Sequence, residues 1–282
     1  MPTQLMSTVD PAIALVSDTD RTNDSDSTEV RSFFIRPPQW VLSDLLPSLI
    51  RSEVAAHILE DHSMLKRVCE RYPGSFVVIN GDKITGSEKT DWKYVIRAFK
   101  DVFVQNRITV AFMDRGLTAA KREEIRVEGL AIAFLDLNQS FRNIQNLLTA
   151  FAIKVCKSAR RSFLRIKCDE GQNQPEFNLK MHGIMVRGKV RDISSSGMAC
   201  YLEDDVVGNV LQFTKGEELR GVQLLFRGTP VLVSGVVAAV RKIGAKTVAI
   251  VMFKWKDDTR GRDRIHHFIG QRLQEEFKRV VS

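Results

Sequence analysis

Between residues 32 and 137 five short apolar runs, SFFIRPP, EVAAHILED, SFVVIN, RITVAFMD and LAIAFLDL, alternate with longer stretches of a different rhythm. The runs have the length and the near-continuous hydrophobicity of strands buried on both faces. The stretches between and after them (WVLSDLLPSLIR, HSMLKRVCERYPG, DWKYVIRAFKDVFVQN, LTAAKREEIRVEG and QSFRNIQNLLTAFAIK) place apolar residues at helical spacing. Five strands alternating with five helices leave few options: a parallel sheet with helices on both faces, a doubly wound (βα)5 α/β domain. This predicts an α/β domain over residues 31–156. The first 30 residues, centred on DTDRTNDSDSTE, carry little to bury and are predicted to form a disordered tail.

The rhythm changes after Ala159. FLRIKC, GIMVRGKVRDI, MACYLE, GVQLLF, PVLVSGVVAAVRKI and TVAIVMFKW are alternating or β-branched segments separated by turn residues, with no helical stretch among them. Such a series predicts a small antiparallel barrel. A closing amphipathic helix is expected from about Arg260 to Val280, with Ile265, Phe268, Ile269, Leu273, Phe277 and Val280 on one face. The second domain is therefore expected over residues 157–282.

Charge is divided unequally between the two halves. Residues 151–282 hold 24 Lys+Arg against 14 Asp+Glu, a net +10, whereas residues 1–150 carry a net −2. The barrel half thus suits a polyanionic partner. No apolar run approaches the ~20 residues that span a bilayer, and the N-terminus has no basic segment ahead of its apolar patch, so a cytoplasmic protein is expected. Cys69, Cys156, Cys168 and Cys200 show no paired spacing and no histidine partners, which argues against a zinc site. The five histidines form no cluster with cysteines or carboxylates at ligand spacing, and none is assigned a catalytic role.

Two polar motifs flank the predicted domain boundary. In KSARRSFLR, Arg161 and Arg165 are four apart with Arg160 adjacent; in VRDISSSGM, Asp192 stands 27 residues after Arg165 and is followed by Ser194 and Gly197. Taken singly, the first could be basic residues complementing a helix C-terminus, and the second a polar turn. Together they match the chemistry of a purine-bearing dianion. Guanidinium forks bind guanine edges or phosphate bidentately, and a carboxylate accepts from the N1–H and N2–H donors of guanine. Asp192 and Ser194, two apart on a strand, share a face. Gly197 permits a backbone approach or a positive φ that a side chain would obstruct.

These motifs, RxxxR at the entry segment and DxSxxG on the barrel, resemble the signature of the PilZ domains, and the strand order and closing helix resemble that family over roughly residues 157–280. The resemblance implies a six-stranded antiparallel barrel with a C-terminal helix and a non-enzymatic receptor for cyclic di-GMP, a ligand rather than a cofactor. It implies that Arg161 and Arg165 grip guanine and phosphate from a linker at 157–166, with Arg160 as an auxiliary contact. Asp192 and Ser194 would hold a base and phosphate edge, and Gly197 would keep the surface open. Ile250 stands three before Phe253, where many members carry glycine; that position lies outside the ligand signature.

The first domain resembles a response-regulator receiver in topology only. The place of the metal-binding acids after the first strand holds Pro37 and Pro38, the place of the phospho-acceptor holds Asn80, and Asp136-Leu137-Asn138 stand where a lysine is required. Asp82 and Asp114 read as solvated loop acids. A receiver-shaped interaction module is therefore expected, with no metal site and no phosphorylation chemistry. The function implied is a cyclic di-GMP effector whose occupancy changes the domain arrangement and so regulates a partner protein, for example in motility, surface or virulence control, bound through the first domain. The alternative is a basic nucleic-acid-binding protein. Against it, the tryptophans and basic strands form no aromatic-interleaved stripe of the kind single strands require.

Overall fold

The computed structural model describes residues 30–60, 62–81, 92–116, 118–126, 130, 132–156, 164–168, 174–181, 184–202, 213–243, 246–255 and 259–281. The predicted tail, residues 1–30, lies outside them except for Val30, which is buried. The chain forms two compact units, one of residues 1–162 with 276–282, the other of residues 163–275.

The first unit is a parallel sheet of β1 (Ser32–Ile35), β2 (Ala56–Leu59), β3 (Phe76–Asn80), β4 (Thr109–Asp114) and β5 (Ile132–Asp136), in the order β2-β1-β3-β4-β5. The order reverses between β1 and β3, as in flavodoxin-like doubly wound sheets. Successive residues bury on opposite faces. Phe33, Ile35, Val77, Ile79, Val110 and Phe112 share one apolar layer with α2 (Leu65–Arg71), α3 (Trp92–Ala98), α4 (Lys100–Gln105) and α5 (Ala119–Ile125). Phe34, Phe76, Val78, Ala111 and Met113 share the other with α1 (Leu46–Arg51) and α6 (Phe141–Cys156). With both faces covered, each strand is apolar throughout, and full burial of each large side chain contributes about 1.5–3 kcal/mol.

Three local features depart from or refine the helical expectation. The segment before α1 opens as a π-helical turn, Val41–Leu45. The stretch expected as one helix over residues 91–106 is broken at Phe99 into α3 and α4. Thr118 caps α5 by accepting a hydrogen bond from the Lys121 amide at 3.1 Å. Phe277, near the end of α7 (Thr259–Val281), lies in the core of this first unit, 5.5 Å from the Phe33 ring and 4.7 Å from the His57 ring.

The second unit is all-β: β6 (Arg165–Lys167), β7 (Glu176–Met181), β8 (Ile184–Ser194), β9 (Gly197–Leu202), β10 (Glu218–Phe226), β11 (Thr229–Ile243) and β12 (Lys246–Phe253). The sheet runs β6-β8-β7-β10-β11-β12-β9, and an added β8–β9 pairing closes it. β7 to β12 thus form a closed six-stranded antiparallel barrel, and β6 adds a seventh strand against β8. Closure removes exposed sheet edges. Ile265, Phe268, Ile269 and Leu273 of α7 are buried, with Phe268 stacked on Phe226 at 4.3 Å. No helix among the described residues is long and apolar enough to cross a membrane.

Candidate functional site

Along β8 the buried residues are first Val186, Gly188 and Val190, an even-numbered set, alternating with exposed neighbours. Between Val190 and Asp192 the register against β9 shifts, leaving Arg191 as an extra residue: Val190 faces Cys200, and Asp192 faces Ala199. Such a bulge reverses which residues point inward. Beyond it the inward set is odd. Ile193 is buried opposite Ile166, which is also buried.

The reversal puts Asp192 and Ser194 on the same face as Arg165 and Lys167 of β6. Arg165 is directly opposite Ser194, and Lys167 is opposite Asp192. Paired residues in an antiparallel ladder project to one side. Arg165 Nε lies 3.2 Å from Asp192 Oδ1, and Arg191 Nε lies 4.0 Å from Asp192 Oδ2. The carboxylate side chain is only 11% exposed, while that of Arg165 is 52% exposed. Despite the short distance, no N–H is directed at Oδ1, which accepts no hydrogen bond from a described residue. The arginine supplies charge without supplying the bond. A buried carboxylate oxygen left in that state costs on the order of 1–3 kcal/mol, and a ligand donor would relieve the cost.

The turn after Asp192 is fixed by its own hydroxyls. Ser194 Oγ donates to the Gly197 carbonyl at 3.2 Å, accepts from the Ser196 amide at 3.3 Å and lies 3.0 Å from Ser196 Oγ. The Ser195 carbonyl accepts from Trp255 Nε1 at 2.7 Å, and the Ser196 carbonyl accepts from the Phe253 amide at 2.9 Å. Gly197 is required by packing. A Cβ there would stand 2.4 Å from the Val251 carbonyl oxygen and 3.2 Å from Met252 Cα, on the neighbouring strand β12. Behind the site, burial above all and then the Asp192 charge push the Cys200 thiol up to about 12, so it stays protonated.

Of the residues singled out from sequence, Arg165, Asp192, Ser194 and Gly197 meet on one side of β6, β8 and β9. Arg160 and Arg161 lie outside the described residues. Lys167, Arg191 and Trp255 were not anticipated. Arg191 and Lys167 bring two more cations beside Asp192, and Trp255 ties down the turn. The residue preceding Asp192 is visibly basic in the sequence, but nothing in its pattern announces the bulge.

In the first unit Asn80 ends β3, is buried, and donates from Nδ2 to the Arg36 carbonyl at 2.9 Å. Asp114 corrects the expectation of a solvated acid: it is buried at the end of β4 and ion-paired with Lys121. Asp82 lies outside the described residues. The Asn138 amide donates to Asp136 Oδ1 at 2.9 Å. No group of three or more His, Cys, Asp or Glu among the described residues is arranged to hold a metal ion.

No family model matches the chain, and no curated protein matches it. Solved structures similar to it over its C-terminal part are PilZ domains. The PilZ domain with c-di-GMP of YcgR from Escherichia coli aligns at 13% identity and a TM-score of 0.37, over 43% of this chain and 96% of that one. The MrkH–c-di-GMP complex from K. pneumonia aligns at 19% identity and a TM-score of 0.37, over 43% of this chain and 55% of that one. The Bacillus subtilis inhibitor of motility (MotI/DgrA) aligns at 17% identity and a TM-score of 0.31, over 40% of this chain and 50% of that one. The match thus spans about half the length of these last two proteins.

Proposed function

We propose that the barrel unit is a PilZ-type receptor for cyclic di-GMP and that the protein is a non-enzymatic effector. The observation that carries the reading is Asp192 Oδ1, buried with no hydrogen-bond donor among the described residues, beside the Arg165 guanidinium and on a face shared with Lys167 and Ser194. Guanine offers the N1–H and N2–H donors this acceptor lacks. The ring of cations from Arg165, Lys167 and Arg191 suits the two phosphates. Arg160 and Arg161, a few residues before β6 in sequence, extend the same basic series in the RxxxR pattern.

In this reading Arg165 turns from Asp192 toward base or phosphate as the ligand enters, and the segment 157–166 is drawn onto the barrel. The linker would then be ordered by occupancy, and the arrangement of the two units would change. The (βα)5 unit, which has proline and asparagine at the chemical positions of a receiver, serves as the interaction module for a regulatory partner. Calorimetric titration with cyclic di-GMP, with cyclic di-AMP and GMP as controls, tests the reading. Saturable binding of cyclic di-GMP alone is expected; equal binding of all three, or none, overturns it. A nucleic-acid-binding protein would instead show affinity for long polyanions that falls steeply with salt.

A further inference from the structure

The first unit contains a cleft of about 540 Å³ that the receptor function does not use. It lies where the chain leaves the carboxyl ends of the parallel strands: Pro38 follows β1, Asn80 ends β3, Arg115 follows β4 and Gln139 follows β5. Open α/β sheets bind ligands in this crevice, beside the point where strand order reverses; here that point is the β1–β3 pair. Its size is within the roughly 300–1,000 Å³ of small-molecule sites.

The lining excludes the chemistry that a receiver would perform here. Asn80 presents an amide where an acceptor carboxylate would have to stand, and Pro38 offers no oxygen ligand from its side chain. A hard divalent cation requires carboxylate oxygens, and none of the described lining residues has one. Asp114, at the end of β4, is taken up by Lys121. The charge that lines the cleft is positive, from Arg115, and two carboxamides, Asn80 and Gln139, accompany it.

The remaining wall is aromatic. Trp40 and Phe141 meet edge to face with ring centroids 5.1 Å apart, at an interplanar angle of 88°. Phe141 is 42% exposed, one of few large apolar side chains in this unit so open to water. Its exposed ring at the cleft gives a flat apolar body a surface to cover, and π-systems favour such offset or edge contacts. The guanidinium fork matches a carboxylate in the plane of that body.

We propose that this cleft binds a small aromatic carboxylate, with Arg115 pairing the carboxylate, Gln139 fixing its orientation, and Trp40 and Phe141 packing on the ring. The site is independent of the barrel and gives the first unit a ligand of its own. The probe is indole-3-carboxylate, titrated calorimetrically into the full chain, with indole-3-carboxamide as the neutral control. Saturable one-site binding of the acid is expected, weakened at least about tenfold by the amide and by Arg115→Gln, the loss that removal of one charge-assisted contact produces. Trp40→Phe should reduce binding less than Arg115→Gln. Absence of saturable binding of the acid, or equal binding of acid and amide, overturns the proposal. The ligand-side comparison decides the outcome even if the arginine variant fails to fold, which its thermal melt would reveal. Cyclic di-GMP binding, measured on the same sample, is expected to be unchanged by the acid, so failure here and failure of the receptor reading are separately visible.

Discussion

Ile166 and Ile193 lie opposite each other across the β6–β8 ladder, both buried, and this pair determines that Arg165 and Asp192 meet on the other face. The polar residues of the proposed site are thus oriented by an apolar contact that would carry none of the recognition. The site depends on strand phase as much as on the identity of its polar side chains.

Asp192→Asn retains the shape of the side chain and removes its charge. It should weaken cyclic di-GMP binding by about 1.5–3 kcal/mol, because a charge-assisted acceptor is lost. Arg165→Ala should fall in the same range. Calorimetry on both variants checks this, with unchanged circular dichroism showing that the fold is retained; full-strength binding by the double variant would refute the site.

Gly197→Ala tests packing apart from recognition. The added methyl would stand 2.4 Å from the Val251 carbonyl oxygen, so β9 and β12 must separate. A loss of about 1–3 kcal/mol of stability is expected, the usual range for overpacking. Chemical denaturation of the variant measures it directly.

Phe277→Ala should destabilise the first unit by about 3–5 kcal/mol, the cost of deleting a buried phenyl group. The side chain is buried against Phe33 and His57. Removing it should also increase hydrogen exchange in β1 and β2, an effect that mass spectrometry of peptic fragments resolves.

His57 provides a pH dependence of definite sign. Burial, and then the Arg31 guanidinium, hold its imidazole well below the ordinary value of 6.5. Arg31 Nη1 lies 3.1 Å from His57 Nε2. The unfolded chain takes up a proton near pH 6.5 while the folded chain does not, so stability falls as pH drops below that value. The slope approaches about 1.4 kcal/mol per pH unit until the depressed folded-state value is reached. Urea unfolding of the parent and of His57→Phe across pH 7 to 5 should show a shallower fall in the variant.

Acetyl phosphate with Mg2+ should leave the intact mass of the protein unchanged, since the end of β3 carries the Asn80 amide. A phosphorylated species would refute the reading of the first unit as an interaction module.

The sheet of the first unit was legible because its strands are buried on both faces and therefore apolar throughout, as in FVVIN of β3. β7 was missed for the opposite reason. In EFNLKM only Phe177 and Leu179 are seen to face the core, and Glu176 and Lys180 are exposed, so the segment is too polar to stand out from the loops around it. Asp192 and Ser194 were correctly assigned to one face from their spacing. Which face could not be read, because the bulge at Arg191 changes the phase of a strand whose residues otherwise look regular. The cleft left no trace in any single segment. It is assembled from residues at or just after the ends of four different strands, and only the sheet order brings them together.

The extra residue in β8 makes the site a question of parity. Val190 faces Cys200 and Asp192 faces Ala199 with Arg191 left over, so Asp192 turns outward, where a ladder running regularly through Arg191 would turn it toward the barrel interior. A chain whose β8 kept its length but paired without that bulge would retain the whole written signature and lose the proposed site. Deleting Arg191 would remove the bulge and leave Asp192 facing as it does now, opposite Ala199. Signature and binding can therefore be separated by the pairing register of one strand, with no change to any residue that would touch the ligand.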